Sequence, residues 1–259
     1  MITAAKTLEK YHLRATDGAI GHVKDVFVDD QHWSIRFFVV EVGSWLNHQK
    51  VLISPAAVTG RGESEHELVV QLTRDQVRNS PLVDTEKPVS RQHEAQLYQY
   101  YGWTPYWSGF APFGLDMMAA ATGLMGVISA AQNAGKGRPS DSTPPIDEAG
   151  GDPHLRSANE LIGSTVHGSD AEFGRLDDFV VDDQAWRLSH ARVELSGWHS
   201  GAVLLPLHLV SNISWVESRI QLATTRDHVR ALPLHDSSQP LTPSALQEVD
   251  QRFPRIAGT

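Results

Sequence analysis

The chain has 259 residues, no cysteine and a formal net charge of −9, from 22 basic and 31 acidic residues. This length suits two domains of about 100 residues each plus connections. The absence of cysteine excludes disulfides, thiolate metal sites and cysteine nucleophiles. The acidic balance argues against a nucleic-acid surface, which normally presents a stripe of Lys and Arg.

The first 85 residues predict short strands joined by polar turns. Between the first two strands, residues 29–32 (DDQH) form a polar cluster that ends one strand and starts a turn. Thr73 and Gln76 have the spacing of a capping box, which begins a helical turn. The runs rich in β-branched and aromatic residues predict strands near residues 23–28, 35–42, 51–53 and 68–72.

The middle of the chain changes composition several times. A short helix is expected from Ser90 to Tyr101, with Gly102 ending it, and an aromatic turn follows at residues 100–107. Residues 117–131 (MMAAATGLMGVISAA) form an apolar run, and residues 133–152 are rich in Gly, Pro, Ser and Asp and predict disorder.

Two interpretations of the apolar run stay open. It is either part of a mobile linker or a segment that binds a partner or a membrane surface, because exposed apolar patches mark interaction sites. In the second case the candidate partner-binding residues are Met117, Met118, Leu124, Met125, Val127 and Ile128. A membrane span is disfavoured, because about 15 residues of helix reach only about 22 Å.

The chain contains an internal repeat. Residues Asp17–Trp45 align without a gap with Asp170–Trp198 at an offset of 153, and eleven of these 29 positions are identical. After one deletion the offset becomes 152, and TRDQVRNSP (Thr73–Pro81) then faces TRDHVRALP (Thr225–Pro233). The correspondence keeps one order throughout, so both halves are expected to share one topology. After the second half, Thr242 and Pro243 predict the start of a last short helix.

A pattern that occurs twice, G-x-x-x-D-hydrophobic-x-V-D-D-x-x-W followed by an apolar strand and a turn with Trp, resembles the PRC-barrel family. The residues that carry the resemblance are Gly21, Asp25, Val28, Asp29, Asp30 and Trp33, and again Gly174, Asp178, Val181, Asp182, Asp183 and Trp186. Members of this family include the cytoplasmic domain of the photosynthetic reaction-centre H subunit, the C-terminal domain of a ribosome maturation factor and many uncharacterised bacterial proteins. The resemblance implies a small β-barrel that docks onto a larger assembly.

The repeated carboxylates invite two interpretations. A cation site or an acid/base pair could be formed by Asp25 with Asp29 and Asp30, repeated as Asp177, Asp178, Asp182 and Asp183. In the preferred interpretation, Asp29 and Asp30 accept hydrogen bonds from turn N–H groups and Asp25 anchors the preceding strand. The thirteen histidines occur singly, without metal-binding spacing. We therefore predict no catalytic, cofactor-binding or metal-binding residues, and no cofactor.

The tryptophans of the repeat could line an aromatic ligand site. The preferred interpretation places Trp33 and Trp186, with Trp45 and Trp198, over the ends of the barrels, as structural residues.

The predicted fold class is mainly β: two tandem small β-barrels in a pseudo-twofold arrangement, with short helices and a long, partly disordered linker. The expected divisions are copy 1 at residues 1–88, the linker at 89–153, copy 2 at 154–240 and a short helix and tail at 241–259.

The function expected from this pattern is that of a non-catalytic, protein-binding adaptor or scaffold. The alternative is a peripheral membrane component resembling the reaction-centre H subunit, which would assist electron and proton transfer without a cofactor of its own. An enzyme that uses the paired Asp residues ranks below both. We expect a cytoplasmic protein with peripheral membrane contact at most, because the first 18 residues lack the apolar core of a signal peptide. We also expect a protein partner and no nucleic acid, and a homodimer is compatible with the pattern.

Overall fold

The computed structural model describes residues 2–44, 47–81, 91–105, 154–197, 201–236 and 239–254. Its strands are β1 Ile2–Ala4, β2 His12–Ala15, β3 Gly18–Asp29, β4 Ser34–Ser44, β5 Asn47–Ile53, β6 Val58–Arg61, β7 Glu67–Val70, β8 Leu155–Ser157, β9 Thr165–His167, β10 Glu172–Asp182, β11 Arg187–Leu195, β12 Gly201–Pro206, β13 Val210–Ser214 and β14 Arg219–Leu222. Its helices are α1 Ala5–Leu8, α2 Arg74–Arg78, α3 Arg91–Tyr101, α4 Ala158–Leu161, α5 Arg226–Arg230 and α6 Pro243–Arg252, with 3-10 turns at Pro55–Ala57 and Leu207–Leu209.

The protein is mainly β, as predicted, and the expected local signals are present. Thr73 and Gln76 form a reciprocal capping box at the start of α2, and Thr225 caps α5. The helix α3 ends at Tyr101, and Gly102, which follows it, adopts a left-handed φ of 71°. The predicted last helix is α6, which begins after Thr242 as its N-cap.

Both copies have the same strand order. Copy 1 runs β6-β7-β2-β3-β4-β5 and copy 2 runs β13-β14-β9-β10-β11-β12. In each copy one pair is parallel, β2 with β7 and β9 with β14, and the other neighbours are antiparallel. The two halves join through Ser34 on β4 and Arg187 on β11, so that the described strands form one large mixed sheet.

The strands do not close into barrels, and closure was expected. Within the described strands, β5 pairs with β4 but not with β6, and β12 pairs with β11 but not with β13. A proline stands at the end of each of these strands: Pro55 opens the 3-10 turn after β5, and Pro206 ends β12 before the equivalent turn. From each of these strands a 3-10 turn leads the chain to the next strand, Pro55–Ala57 after β5 and Leu207–Leu209 after β12.

The first strand of each copy pairs with the other copy. Strand β1 is antiparallel to β10, with Ile2 opposite Asp182 and Ala4 opposite Val180. Strand β8 is antiparallel to β3, with Leu155 opposite Asp29. The exchange is reciprocal, because β8 is the counterpart of β1 at the offset of 153.

A helix follows each copy and covers one face of its sheet. Leu97 and Tyr98 of α3 pack in an apolar cluster with Phe37, Leu52 and Leu155. The helix α6 is the counterpart of α3 at the offset of 152, and its Leu246 and Val249 pack with Val180 and Leu204. The duplication therefore comprises an exchanged strand, the six strands of the sheet and a final helix.

None of the helices in the described part of the chain is long and apolar enough to cross a membrane.

Gly21 offers a test of how closely β3 and β4 approach. A Cβ atom at Gly21 would lie 1.9 Å from the carbonyl oxygen of Glu41, whereas a Cβ atom at Gly60 would meet no atom within 4 Å. We expect Gly21→Ala to lower the free energy of unfolding by about 1–3 kcal/mol, as overpacking does. Gly60→Ala is the matched control and should stay within about 0.5 kcal/mol of the wild type. Urea denaturation measures both, and equal values for the two variants would contradict the close approach.

Candidate functional site

The contact between the two copies brings most of the repeated motif residues together. At its centre the backbone hydrogen bonds are reciprocal: Ile35 N–H donates to the Trp186 carbonyl at 2.8 Å, and Leu188 N–H donates to the Trp33 carbonyl at 2.7 Å. Such mutual contacts are typical of an isologous interface between two like subunits. Here both subunits belong to one chain.

Trp33 and Trp186 cross this contact instead of covering the ends of barrels. Each is only 8% exposed, which confirms that they are buried. The ring of Trp33 lies 5.9 Å from that of Phe179 in copy 2, and the ring of Trp186 lies 4.9 Å from that of Phe38 in copy 1. Each copy therefore contributes a tryptophan to the core of the other.

Both tryptophans have a left-handed backbone, with φ of 56° at Trp33 and 48° at Trp186. This region is costly for a bulky residue, by about 1–3 kcal/mol. The reciprocal hydrogen bonds and the burial of the indole rings offset that cost. The turn geometry is what directs each side chain away from its own strands and into the other copy.

The two receiving pockets use opposite arrangements of large and small residues. In copy 1, Val26 lies directly opposite Phe38 on the neighbouring strand. In copy 2 the equivalent pair is Phe179 opposite Ala191. The aromatic residue thus stands on β4 in copy 1 and on β10 in copy 2. Each pocket therefore presents one aromatic ring to the incoming tryptophan.

Asp25 and Asp178 receive the exchanged strand and the helical turn that follows it. The Asp25 carboxylate accepts from the Ser157 hydroxyl at 2.5 Å and from Asn159 N–H at 3.4 Å. Asp178 accepts from Lys6 N–H at 3.2 Å. Burial raises the pKa of both carboxyl groups, against the opposing effect of these hydrogen bonds.

Asp29 and Asp182 organise the turn before each tryptophan. Asp29 accepts from the N–H groups of Gln31 and His32, each at 3.0 Å, and Asp182 accepts from Gln184 N–H at 2.9 Å. This is the turn role expected from the sequence.

Asp29 also forms a buried ion pair with Arg36. The guanidinium of Arg36 donates to its carboxylate at 2.7 Å. Burial alone would raise the pKa of Asp29, but the hydrogen bonds from Arg36 and His32 outweigh it and lower the pKa.

Asp30 and Asp183 bind the other copy rather than the turn. The Asp30 carboxylate lies 2.9 Å from Nδ1 of His154, and burial raises its pKa. Asp183 accepts a hydrogen bond from the guanidinium of Arg61. The expectation that Asp30 accepts from N–H groups of its own turn is replaced by this contact between copies.

Gly21 and Gly174 occupy equivalent positions where two strands approach closely. A Cβ atom at Gly174 would lie 2.2 Å from the Glu194 carbonyl oxygen, matching the contact at Gly21. These two glycines of the repeated motif are therefore required by backbone packing.

The described residues show no cluster of metal-ligating side chains, and the cavity beside Trp33 is small. Among them, no group of three His, Asp or Glu side chains is arranged to hold a metal ion. A cavity of about 10 Å³ beside Trp33 and Phe179 is lined by apolar side chains and is no larger than one water molecule. The residues Trp45, Trp198, Met117, Met118, Leu124, Met125, Val127 and Ile128 lie outside the described part of the chain.

Sequence reasoning missed the exchanged segments, although a weak signal was present. At the offset of 153, Ala5 matches Ala158 and Leu8 matches Leu161. Ala5 and Leu8 are both buried, as are their counterparts. The match continues upstream of the aligned blocks and marks residues 2–9 and 155–162 as part of the repeat.

No protein-family model matches the chain. A relative is an uncharacterised protein of Deinococcus radiodurans, 32% identical over 88 residues. The match covers 30% of this chain and 31% of the relative, so the chain spans about a third of the length of the relative it matches. This likeness links part of the chain to a bacterial protein and assigns it no activity.

Trp33→Ala and Trp186→Ala should each lower the free energy of unfolding by about 3–5 kcal/mol, as for other large-to-small core changes. The physical reason is that each truncation empties a pocket in the other copy. Chemical denaturation measures the loss, and Val216→Ala, at a side chain that is 99% exposed, is the control. Losses no larger than the control's would reassign the tryptophans to a ligand surface.

Asp25→Asn and Asp29→Asn should respond to acid in opposite directions. The folded state binds a proton at Asp25 at higher pH than the unfolded state does, because its pKa is raised. Wild type therefore gains stability relative to Asp25→Asn as the pH falls from 7 through that pKa. The lowered pKa of Asp29 gives stability that is present above about 3.8 and lost as the pH falls further, so wild type loses its advantage over Asp29→Asn.

Urea denaturation between pH 7 and pH 3 measures the difference in the free energy of unfolding between wild type and each variant. Titration of one group changes this difference by at most about 1.4 kcal/mol per pH unit. The two variants control for each other, since all other titrating groups are shared. If, as the pH falls, the stability difference between wild type and variant changed in the same direction for both variants, the opposite pKa shifts of Asp25 and Asp29 would be contradicted.

Proposed function

We propose that the chain is a non-catalytic tandem PRC-barrel protein, with its copies in a pseudo-twofold arrangement, and that it acts as an adaptor or scaffold for a protein partner. The motif residues support the non-catalytic part of the proposal. Asp25, Asp178, Asp30 and Asp183 bind the opposite copy, and Asp29 is held by Arg36. Carboxylates committed to such contacts act in folding and assembly.

The binding part of the proposal is carried by one observation: residues 106–153 lie between the matched elements of the two copies and align with neither of them. Each strand and helix of copy 1 matches an element of copy 2, up to α3 and α6. More than fifty residues separate Tyr101, the last residue of α3, from Leu155, the first residue of β8. The duplication itself therefore leaves this segment unexplained.

The segment is also longer than the connection requires. Trp103, shortly after α3, and Leu155, at the start of β8, belong to the same apolar cluster. A much shorter chain would join two ends that lie in one cluster. A retained insertion of this length fits a binding role better than a spacing role.

Composition places the binding role in the apolar part of the insertion. A plain spacer favours Gly, Ser, Pro and charge, as residues 133–152 do. The preceding run offers apolar side chains that cost about 25 cal/mol per Å² to leave in water, and methionine adapts to irregular partner surfaces. We assign partner binding to Met117, Met118, Leu124, Met125, Val127 and Ile128.

Deleting Leu115–Ala131 should leave the melting temperature unchanged and abolish capture of the partner. Deletion of Asn133–Ala149, which has the same length, is the matched control and should preserve capture. Affinity purification from the native cell with mass spectrometry identifies the partner, and binding to the purified partner is then compared between the two variants. A clear loss of stability in the first variant, or capture that survives it, would overturn the assignment.

The alternative, a peripheral membrane component resembling the reaction-centre H subunit, rests on the same apolar run. Sedimentation with lipid vesicles distinguishes the two functions. An adaptor stays in the supernatant with or without residues 115–131, whereas a peripheral membrane protein sediments with vesicles only when the run is present.

A further inference from the structure

Each copy contributes a short segment that binds in a groove of the other copy, so the chain contains two similar segments in two similar grooves. We call residues 2–9 arm 1 and residues 155–162 arm 2. Arm 1 lies in groove 2, formed by the edge of β10 at Val180–Asp182 with Asp177 and Asp178. Arm 2 lies in groove 1, formed by the edge of β3 at Phe27–Asp29 with Asp25. Contacts that both pairs of arm and groove make show what the two grooves recognise in common. Contacts that only one pair makes show where that groove is selective.

The shared contacts define the recognition pattern. Each arm adds a three-residue antiparallel strand, and the following turn of helix presents an N–H group to an aspartate: Lys6 to Asp178, and Asn159 to Asp25. The side chains buried in both arms are an alanine directly after the strand and a leucine three residues later, namely Ala5 and Leu8, and Ala158 and Leu161. Both arms therefore fit the pattern (Ile/Leu)-x-(Ala/Ser)-Ala-x-x-Leu.

One position differs in charge between the two grooves. The ammonium group of Lys6 lies 3.0 Å from the Asp177 carboxylate, which also accepts from Arg192 at 2.6 Å. In groove 1, Lys24 stands at the position of Asp177, and arm 2 has Asn159 at the position of Lys6. At this position Lys6 therefore meets the Asp177 carboxylate of groove 2, whereas the Asn159 amide meets the Lys24 carbonyl of groove 1 and the Glu9 carboxylate of arm 1.

Arm 1 is the less buried of the two. Its strand residues Ile2, Thr3 and Ala4 are all half-buried, whereas Leu155 and Ser157 of arm 2 are buried. Ser157 also donates to Asp25, and Ala4, at the equivalent position of arm 1, has no hydroxyl group to donate. The strand of arm 1 is thus more exposed than that of arm 2 and lacks the hydroxyl hydrogen bond, which makes arm 1 the easier one to exchange.

We propose that groove 2 is a recognition site for peptides of this pattern with a basic residue at the Lys6 position, and that it takes arm 1 from a second copy of the chain as well as from its own. Docking occurs by strand addition to β10, in which backbone hydrogen bonds give affinity and the alanine, leucine and lysine positions give specificity. The peptide pattern is independent of the adaptor function proposed above, because it concerns residues 2–9 and not the insertion.

The test uses the full chain with its own arm displaced. Leu8→Asp places a charge where the wild-type side chain is 1% exposed, and it should free groove 2. The probe is a fluorescent peptide, ITAAKTLEK (residues 2–10), and the control is the same peptide with Leu8→Asp. Fluorescence polarisation should show saturable binding of the first peptide to the Leu8→Asp chain below about 1 mM and none of the control. Wild type should bind the first peptide more weakly than the Leu8→Asp chain does, and the control not at all, since its own tethered arm competes at an effective concentration of about millimolar.

A second comparison checks the selectivity of groove 2. The Lys6→Asn peptide should bind the Leu8→Asp chain about two- to fivefold more weakly than the wild-type peptide, because an exposed ion pair contributes little. The two peptides should bind equally when Asp177→Asn is added to the chain. A folded Leu8→Asp chain that binds no wild-type peptide, or that does not distinguish it from the control, overturns the proposal.

The outcome in which Leu8→Asp fails to fold is equally decisive. The wild-type peptide must then restore a cooperative thermal transition that the control peptide does not restore. Absence of this rescue also overturns the proposal.

Discussion

Neither copy completes its own core, and the rest of the structure depends on this constraint. The first strand and the tryptophan of each copy pack in the other copy. The left-handed turns at Trp33 and Trp186, the aspartates that receive the arms and the glycines that allow close strand approach all serve this exchange. The unit of stability is therefore the pair of copies, so the linear boundary between them does not separate two independent cores.

Local structure was accessible from the sequence because its causes are local. Runs of β-branched and aromatic residues predicted the strands, and threonines at helix starts predicted the caps at Thr73, Thr225 and Thr242. The repeat predicted one topology for both halves, and the strand orders agree. Burial of Trp33 and Trp186 followed from their size and their positions beside turns.

The exchange itself could not be predicted from the sequence, because a strand pairs equally well with its own sheet or with an identical one. The strands β1 and β8 have only three residues each, so their own pattern carries little information about the partner. The role of Asp30 depends on His154, which lies 124 positions further along the chain, and no local preference encodes such a contact. The open edges at β5 and β12 could not be predicted either, because the same apolar pattern suits a closed barrel and an open sheet.

Joining the two copies in one chain also explains how their contacts have diverged. In a symmetric dimer each substitution occurs twice, so an aromatic residue that leaves one pocket leaves both. In the fused chain Val26 and Phe38 can differ from Phe179 and Ala191, provided that each pocket keeps its volume. The ion pair of Lys6 with Asp177 could arise on one side alone for the same reason. Fusion thus turns one symmetric contact into two that evolve separately, and this freedom is what lets the two grooves place different charged groups beside the arms.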